Sequence, residues 1–481
     1  MSTVVLRGGT VCDPGTGFSG PADLVVRDGR IAAGPAPADA EVIDVTGLVV
    51  GPGFVDLHSH VDSVAGQRLQ ALDGVCATLE LEAGAVQVER AYRAAAAQGR
   101  PLHYGYSASW ASTRFQAHTG ALPSDTLAVL GEPEWQRTSS AAERTAWLGL
   151  LEGELAAGGL GVGVLLGYAP RTDPGEFLDV ARLAARAGAP TFTHVRELVE
   201  ADPTTPIDGS TEIAAAAAET GAAMHHCHVN STSRRHIDRV LGTLDTARRE
   251  GAPVTVEAYP YGAGSTAIGA FFLAPERLPV WGLRPSDLVI VDTGERIADE
   301  ARLAEIRERD PGAPCIVYFV DEDVPADAGL LRHSLAFPDG IIASDAMAVG
   351  FPGGAHDSLE WPLPPGGRTH PRTAGTFTKT LRLMVREQAA WTWLEAFRRC
   401  AYLPARVLDA ACPAIRGKGH LGTGADADVV VIDPETVTDR ATFTDPTRTA
   451  QGVRHLLVNG TFVVRDGQLD TGAFPGTALR G

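Results

Sequence analysis

The chain predicts an α/β fold, a (β/α)8 TIM barrel between two β-rich ends, and three observations carry that expectation. Eight short strand-like runs alternate with Ala- and Arg-rich helical stretches through the middle of the 481 residues, the pattern of a parallel sheet with crossover helices. Each run starts apolar and finishes in His, Glu, Arg, Tyr or Asp, which suits a barrel whose chemistry sits at the C-terminal strand ends. The first fifty residues and the segment after Pro413 are instead β-branched runs broken by Gly, Pro and Asp. A doubly wound sheet would share the strand count. The clustering of one residue type at the strand ends favours the barrel.

In chain order, "TVVLRGGTV", "ADLVVRDGRIAA" and "EVIDVTGLVV" supply the N-terminal strands. The barrel runs are "GFVDLHSH", "ATLELEAG", "HYGYSASW", "GLGVGVLLGY", "PTFTHVRE", "AAMHHCHVN", "VTVEAYPY" and "GIIASDA", joined by helices such as "EFLDVARLAARAG" and "STEIAAAAAETG". Between the last two runs, residues 262–339 exceed an ordinary connection and contain "DLVIVD" and "APCIVYFV", predicting an inserted lid or subdomain. The tail reads "ADADVVVID" and "VRHLLVNGTFVVRDGQL", with Asn-Gly and Asp-Gly turns that suit hairpins.

Composition narrows the function. With 44% hydrophobic and 21% charged residues, the chain can build one large domain and a smaller one. A net charge of -18 argues against nucleic acid or an anionic membrane surface as partner. No basic segment leads into a long apolar stretch, and no run reaches membrane length, so a cytoplasmic protein is expected. Six scattered cysteines without a Cys-x-x-Cys pair indicate neither a disulfide framework nor a zinc ribbon.

The stretch "VDLHSHVDS" places His58 and His60 two residues apart, side by side on one strand face. In a barrel, His194 ends strand five, His228 strand six and Asp345 strand eight, so these side chains can converge. Imidazoles with a carboxylate suit Zn²⁺ and similar ions, and Asp345 can also hold and move a proton. The "GLGVG" of strand four is no phosphate loop, because its glycines precede and interrupt a strand.

The motifs "PGFVDLHSHVD", "THVRE", "HCHVNSTS", "AYPYGAGST", "IIASDA", "HPRTAGTF" and "GHLGTGADADVVVIDP" span nearly the whole chain. Together they resemble the amidohydrolase superfamily, and within it the D-aminoacylase or N-acyl-D-amino-acid (D-glutamate) deacylase group. The resemblance implies a small β-sandwich built from both termini, residues 1–54 and 413–481, beside a barrel over 55–412. It further implies a hydrolase using one or two Zn²⁺ ions on a small-molecule N-acyl-D-amino acid, with Asp345 as both metal ligand and acid–base catalyst. It gives no oligomeric state.

Two departures bear on the ligands. Many members bridge two metals with a carboxylated lysine at strand four, but the lysines here are Lys379 and Lys418, both beyond strand eight. D-aminoacylases use a cysteine after strand two, whereas this chain reads "LELEAG", with Ala83 in that place. Glu82, nearest the strand end, is the expected substitute, and Glu80 the runner-up. By the same resemblance Tyr261 and Arg372 hold the substrate α-carboxylate, Asn230 stands where the family has a lysine, and His226 lies behind His228. Arg114, after strand three, is a candidate reader of an acidic substrate side chain. The alternatives are a D-amino-acid dipeptidase, a cyclic-amide hydrolase of hydantoinase or dihydroorotase type, and an inactive scaffold, which would need none of these ligands.

Overall fold

The computed structural model describes residues 3–124, 126, 129–130 and 132–481. Each predicted barrel run overlaps one strand of a single eight-stranded sheet: Phe54–Asp56, Val75–Ala85, His103–Ser109, Val162–Leu165, Thr191–His194, Met224–His226, Val254–Ala258 and Ile341–Ile342. These are strands one to eight, and they neighbour one another in chain order. A parallel bridge from Ser59 to Ala346 brings the segments after strands one and eight together. There the Asp345 amide donates to the His58 carbonyl at 2.7 Å and the His60 amide to the Ala346 carbonyl at 2.8 Å. The fold is a (β/α)8 barrel with a separate sheet domain.

By contact density the chain forms two compact units, one of Met1–Leu79, Arg93–Gly105 and Ile341–Leu479, the other of Glu80–Tyr92, Tyr106–Gly340 and Arg480–Gly481. The first contains a nine-stranded sheet drawn from both termini. Its hub is Thr3–Asp13, which pairs with Phe18–Arg27 along its length, with Glu41–Asp44 over its first half and with Val49–Pro52 over its second. The change of partner follows a bulge where Gly8 takes φ +81°, a conformation that favours glycine. Val4, Leu6, Val11, Val26, Val50 and Val429 pack together in its core. The expected Asn459–Gly460 and Asp466–Gly467 turns have positive φ at all four residues, as mirror-image hairpin turns require.

A charged cluster is buried in the same unit. Lys418 Nζ donates to Asp426 Oδ2 at 3.0 Å and Asp428 Oδ2 at 2.7 Å, and His103 Nε2 lies 3.1 Å from Asp428 Oδ1. The Thr477 amide donates to His103 Nδ1 at 3.1 Å, joining the C-terminal segment to the cluster. Burial alone would push the Asp428 carboxyl up, but His103 and Lys418 outweigh it and hold the group far below the usual carboxylate range.

In the second unit, residues 262–339 fold as an antiparallel sheet of Ala263–Ala267, Pro314–Tyr318 and Leu288–Ile290, with Pro314–Tyr318 central. Helices Glu300–Arg309 and Pro325–Leu335 accompany it. Phe319, Val320 and Leu331 pack on Tyr259 and Tyr261 beyond strand seven. Among the described residues, no helix is long and apolar enough to cross a membrane.

Lys418→Met would leave the buried Asp428 without its ammonium partner, with only His103 left to balance its charge, and is expected to cost about 3–5 kcal/mol of stability in urea unfolding. Arg249→Ala, which removes an exposed pair with Asp245, is expected to leave the transition unmoved. Equal effects would show that the buried cluster is not a stabilising element.

Candidate metal centre

Strand one stops at Asp56, so His58 and His60 lie beyond it and not on its pleat. The expected strand geometry is therefore replaced by another constraint, the backbone bonds that the segment makes to Asp345 and Ala346. The two imidazoles stand perpendicular, with centroids 5.2 Å apart. Asp345 Oδ1 is 3.4 Å from His58 Nε2 and 3.5 Å from His60 Nε2. Its Oδ2 lies 2.9 Å from Arg372 Nη1, and that arginine is wholly buried at the start of helix Arg372–Leu381. Asp345 has φ +50°, a left-handed turn that aspartate tolerates better than most residues.

Asp56 fixes this turn from beneath. Its carboxylate accepts from the Ser344 amide at 2.9 Å, from Gln70 Nε2 at 2.9 Å and from the Ser344 hydroxyl. Burial pushes the Asp56 carboxyl up to about 7 against those donors. The sequence signal for this role was only an acid among apolar residues in "GFVDLHSH".

In the other compact unit, Glu82 Oε1 lies 2.7 Å from His228 Nε2 and 3.2 Å from His194 Nδ1. Glu80 instead accepts from the Ala83 amide at 3.3 Å, so Glu82 is the strand-two carboxylate beside both imidazoles. His228 sits at φ +32°. Glu257, which the sequence reading missed, supports it by accepting from the His228 amide at 3.2 Å through one oxygen and pairing with His225 Nε2 at 2.8 Å through the other. His225 Nδ1 in turn meets the Thr255 hydroxyl at 2.7 Å. His226 turns to the Cys227 carbonyl at 3.1 Å, and burial pushes its imidazole down to about 3.

Strand four contributes space. A Cβ at Gly163 would lie 2.4 Å from the Glu82 carbonyl oxygen, and one at Gly167 would lie 2.5 Å from His194 Cδ2. The last glycine of "GLGVG", Gly163, lets strand two approach, and Gly167 beyond the strand makes room for His194.

The remaining expected residues divide. Asn230 clamps the main chain after strand seven, accepting from the Tyr259 amide at 3.3 Å and donating to the Tyr261 carbonyl at 3.5 Å. Tyr261 is buried beside Phe319 and Leu331. Arg114 is also buried, and all three of its nitrogens donate to protein acceptors: Nη1 to the Trp135 carbonyl, Nη2 to the Arg137 carbonyl at 2.6 Å and Nε to Glu176 at 3.4 Å. These bonds tie Arg114 to the segment around Trp135 and to Glu176. Arg234, which no sequence signal singled out, has φ +49°, stacks 3.7 Å over the Trp281 ring and carries a buried Nη1 that meets no hydrogen-bond partner among the described residues.

The donor atoms of His58, His60 and Asp345 lie within 4.8 Å of one another, and so do those of Glu82, His194 and His228. Each trio offers two imidazole nitrogens and one carboxylate oxygen. Three such ligands fit a catalytic Zn²⁺ with a coordination position left for water or substrate.

No family model matches the chain. A D-aminoacylase of Alcaligenes xylosoxydans xylosoxydans is 30% identical over 99% of this chain and 97% of its own length. An N-acyl-D-glutamate deacylase of the same organism is 30% identical over 96% of this chain and 93% of its own. The crystal structure of an N-acyl-D-glutamate deacylase from Bordetella bronchiseptica, complexed with zinc and a phosphonate mimic of the tetrahedral intermediate, aligns with a TM-score of 0.77 at 28% identity, covering 99% of both chains.

Glu82→Ala is expected to lower bound zinc, measured by elemental analysis, whereas Glu80→Ala leaves it nearly intact. The reverse ranking would move the ligand one pleat earlier.

Proposed function

Because the chain belongs to the D-aminoacylase group of the amidohydrolase superfamily, we propose that it hydrolyses the amide of N-acyl-D-amino acids, releasing a carboxylate and a D-amino acid. The observation that carries the reading is the single Glu82 oxygen within reach of both His194 and His228. We assign those three residues to one Zn²⁺, and His58, His60 and Asp345 to a second. When bound, zinc supplies a Lewis acid and makes a water acidic enough to attack near neutral pH.

The protein's own part is positioning and proton transfer. Asp345 takes the proton of the attacking water and delivers it to the departing nitrogen, so that no free amide anion is expelled. Arg372, 2.9 Å from Asp345, steadies that carboxylate, and its planar fork suits the substrate α-carboxylate as well. Asn230 holds the main chain that carries Tyr261, supporting Tyr261 as a second α-carboxylate contact. For an acidic substrate side chain, such as that of N-acyl-D-glutamate, we assign Arg234, whose buried Nη1 meets no acceptor among the described residues.

Zinc-loaded protein is expected to hydrolyse N-acyl-D-amino acids in preference to their L-enantiomers, to D-dipeptides and to hydantoins. Chelation should abolish turnover and Zn²⁺ restore it. Full activity in metal-free protein, or a preference for hydantoins, would overturn the reading. Asp345→Asn should lower kcat by about 10²–10⁴-fold while zinc at Glu82, His194 and His228 is retained, and an unchanged kcat would remove Asp345 from the mechanism.

A further inference from the structure

One edge and one face of the Arg234 guanidinium are occupied. Its Nε donates to the Ser231 carbonyl at 3.1 Å, and the Trp281 ring covers the face with its centre 3.7 Å away. Nη1 is buried and meets no hydrogen-bond partner among the described residues, which leaves that edge for the carboxylate of a ligand. The backbone at Arg234 has φ +49° and ψ -119°, a conformation that glycine adopts at little cost and that a larger residue keeps only under constraint. The stacked ring and the Ser231 bond supply that constraint.

Trp281 closes the 3-10 turn Leu278–Trp281 of the inserted segment, and it is itself fixed. Its Nε1 donates to Glu197 Oε1 at 2.9 Å, while Arg277 pairs with the other oxygen of that carboxylate. Glu197 is buried and stands three residues after His194. Its neighbour Arg196 anchors the main chain there through two 2.9 Å bonds to Glu212. Arg277, the other arginine of this group, is committed to Glu197 and lies over the Phe271 ring. Burial pushes the Arg234 guanidinium down to about 9 and the charge of Glu197 opposes that shift, so Arg234 is a cation at neutral pH.

We infer that Trp281 is a specificity-determining residue that positions Arg234 for the acidic side chain of the substrate, with Glu197 as the bracket that fixes the indole. Support runs from the loop after strand five, through the inserted segment, to the loop after strand six. A guanidinium already packed on an indole face meets a carboxylate as a preformed fork, and little freedom is lost on binding. The inference rests on the assignment of Arg234 in the proposed function. It goes further in placing the discrimination between an acidic and a neutral side chain on the inserted segment as well as on the arginine.

The test compares D-glutamate with D-glutamine, products that differ in charge and hardly in shape, by calorimetric titration of the zinc-loaded full chain. Trp281→Leu is expected to lower the glutamate-to-glutamine affinity ratio about 3- to 30-fold, the range spanned by a cation–π contact. The change should fall mainly on D-glutamate, and with N-acetyl-D-glutamate as substrate it should appear in KM more than in kcat. Trp281→Phe keeps a ring but loses the bond to Glu197, so its ratio should lie between those of the parent and Trp281→Leu. That comparison stands even if Trp281→Leu does not fold. General loss of structure would weaken both ligands together, so an unchanged ratio in whichever variants fold would overturn the inference. Arg234→Met separates the two readings. If it collapses the ratio while the Trp281 variants do not, Arg234 keeps its role and only its support by Trp281 falls. If Arg234→Met also leaves the ratio unmoved, or the parent shows no preference for D-glutamate, the assignment of Arg234 falls with it. Binding is read without turnover, so a failure to hydrolyse the N-acetyl substrate would count against deacylation and leave the Trp281 result standing.

Discussion

Two backbone hydrogen bonds, from the Asp345 amide to the His58 carbonyl and from the His60 amide to the Ala346 carbonyl, join the ends of the first and last barrel strands. Side chains alone could not hold His58, His60 and Asp345 at this spacing, because strand one is three residues long and strand eight only two. The backbone register does it instead. Asp56 reinforces the same junction by accepting from Ser344 and Gln70. The trio is therefore a consequence of barrel closure, and a barrel that failed to close in this register would lose the three donors together.

The second trio is held differently. Its donors come from strands two and five and from the turn after strand six, where Glu257 accepts from the His228 amide. Burying so many carboxylates and imidazoles is costly unless each finds a partner. The pairing of Glu257 with His225, and of His225 with Thr255, meets that requirement. A bound cation would offset the remaining charge of Glu82.

Much of this arrangement was legible in the sequence because barrel strands impose a period and a direction: apolar runs closing in His58, His194, His228 or Asp345 identify the strand ends wherever the strands begin. That Glu82 would stand nearer than Glu80 to the strand end was also accessible, since it depends only on position along the run. What was hidden depends on backbone geometry that residue types do not encode. The positive φ of His228 and Asp345 lifts both off any strand face, so alternation could not describe them. Arg114 looked like a polar residue at a strand exit, yet its environment is set by Trp135, Arg137 and Glu176, residues far along the chain. The bonds of Asn230 to the main chain at Tyr259 and Tyr261 were hidden for the same reason, for an amide can serve the main chain as readily as a ligand.

The lysine economy of the chain has a physiological consequence. A lysine must react with dissolved carbon dioxide before it can bridge two cations, which couples assembly of such a centre to the bicarbonate of its surroundings. Here strand four ends at Leu165 and is followed by Leu166 and Gly167, and Lys418 is committed to Asp426 and Asp428. Every donor in the two trios is a genetically encoded side chain, complete when translation ends. Two zinc sites built from these trios would need no carboxylated lysine, and so no dissolved carbon dioxide, to assemble.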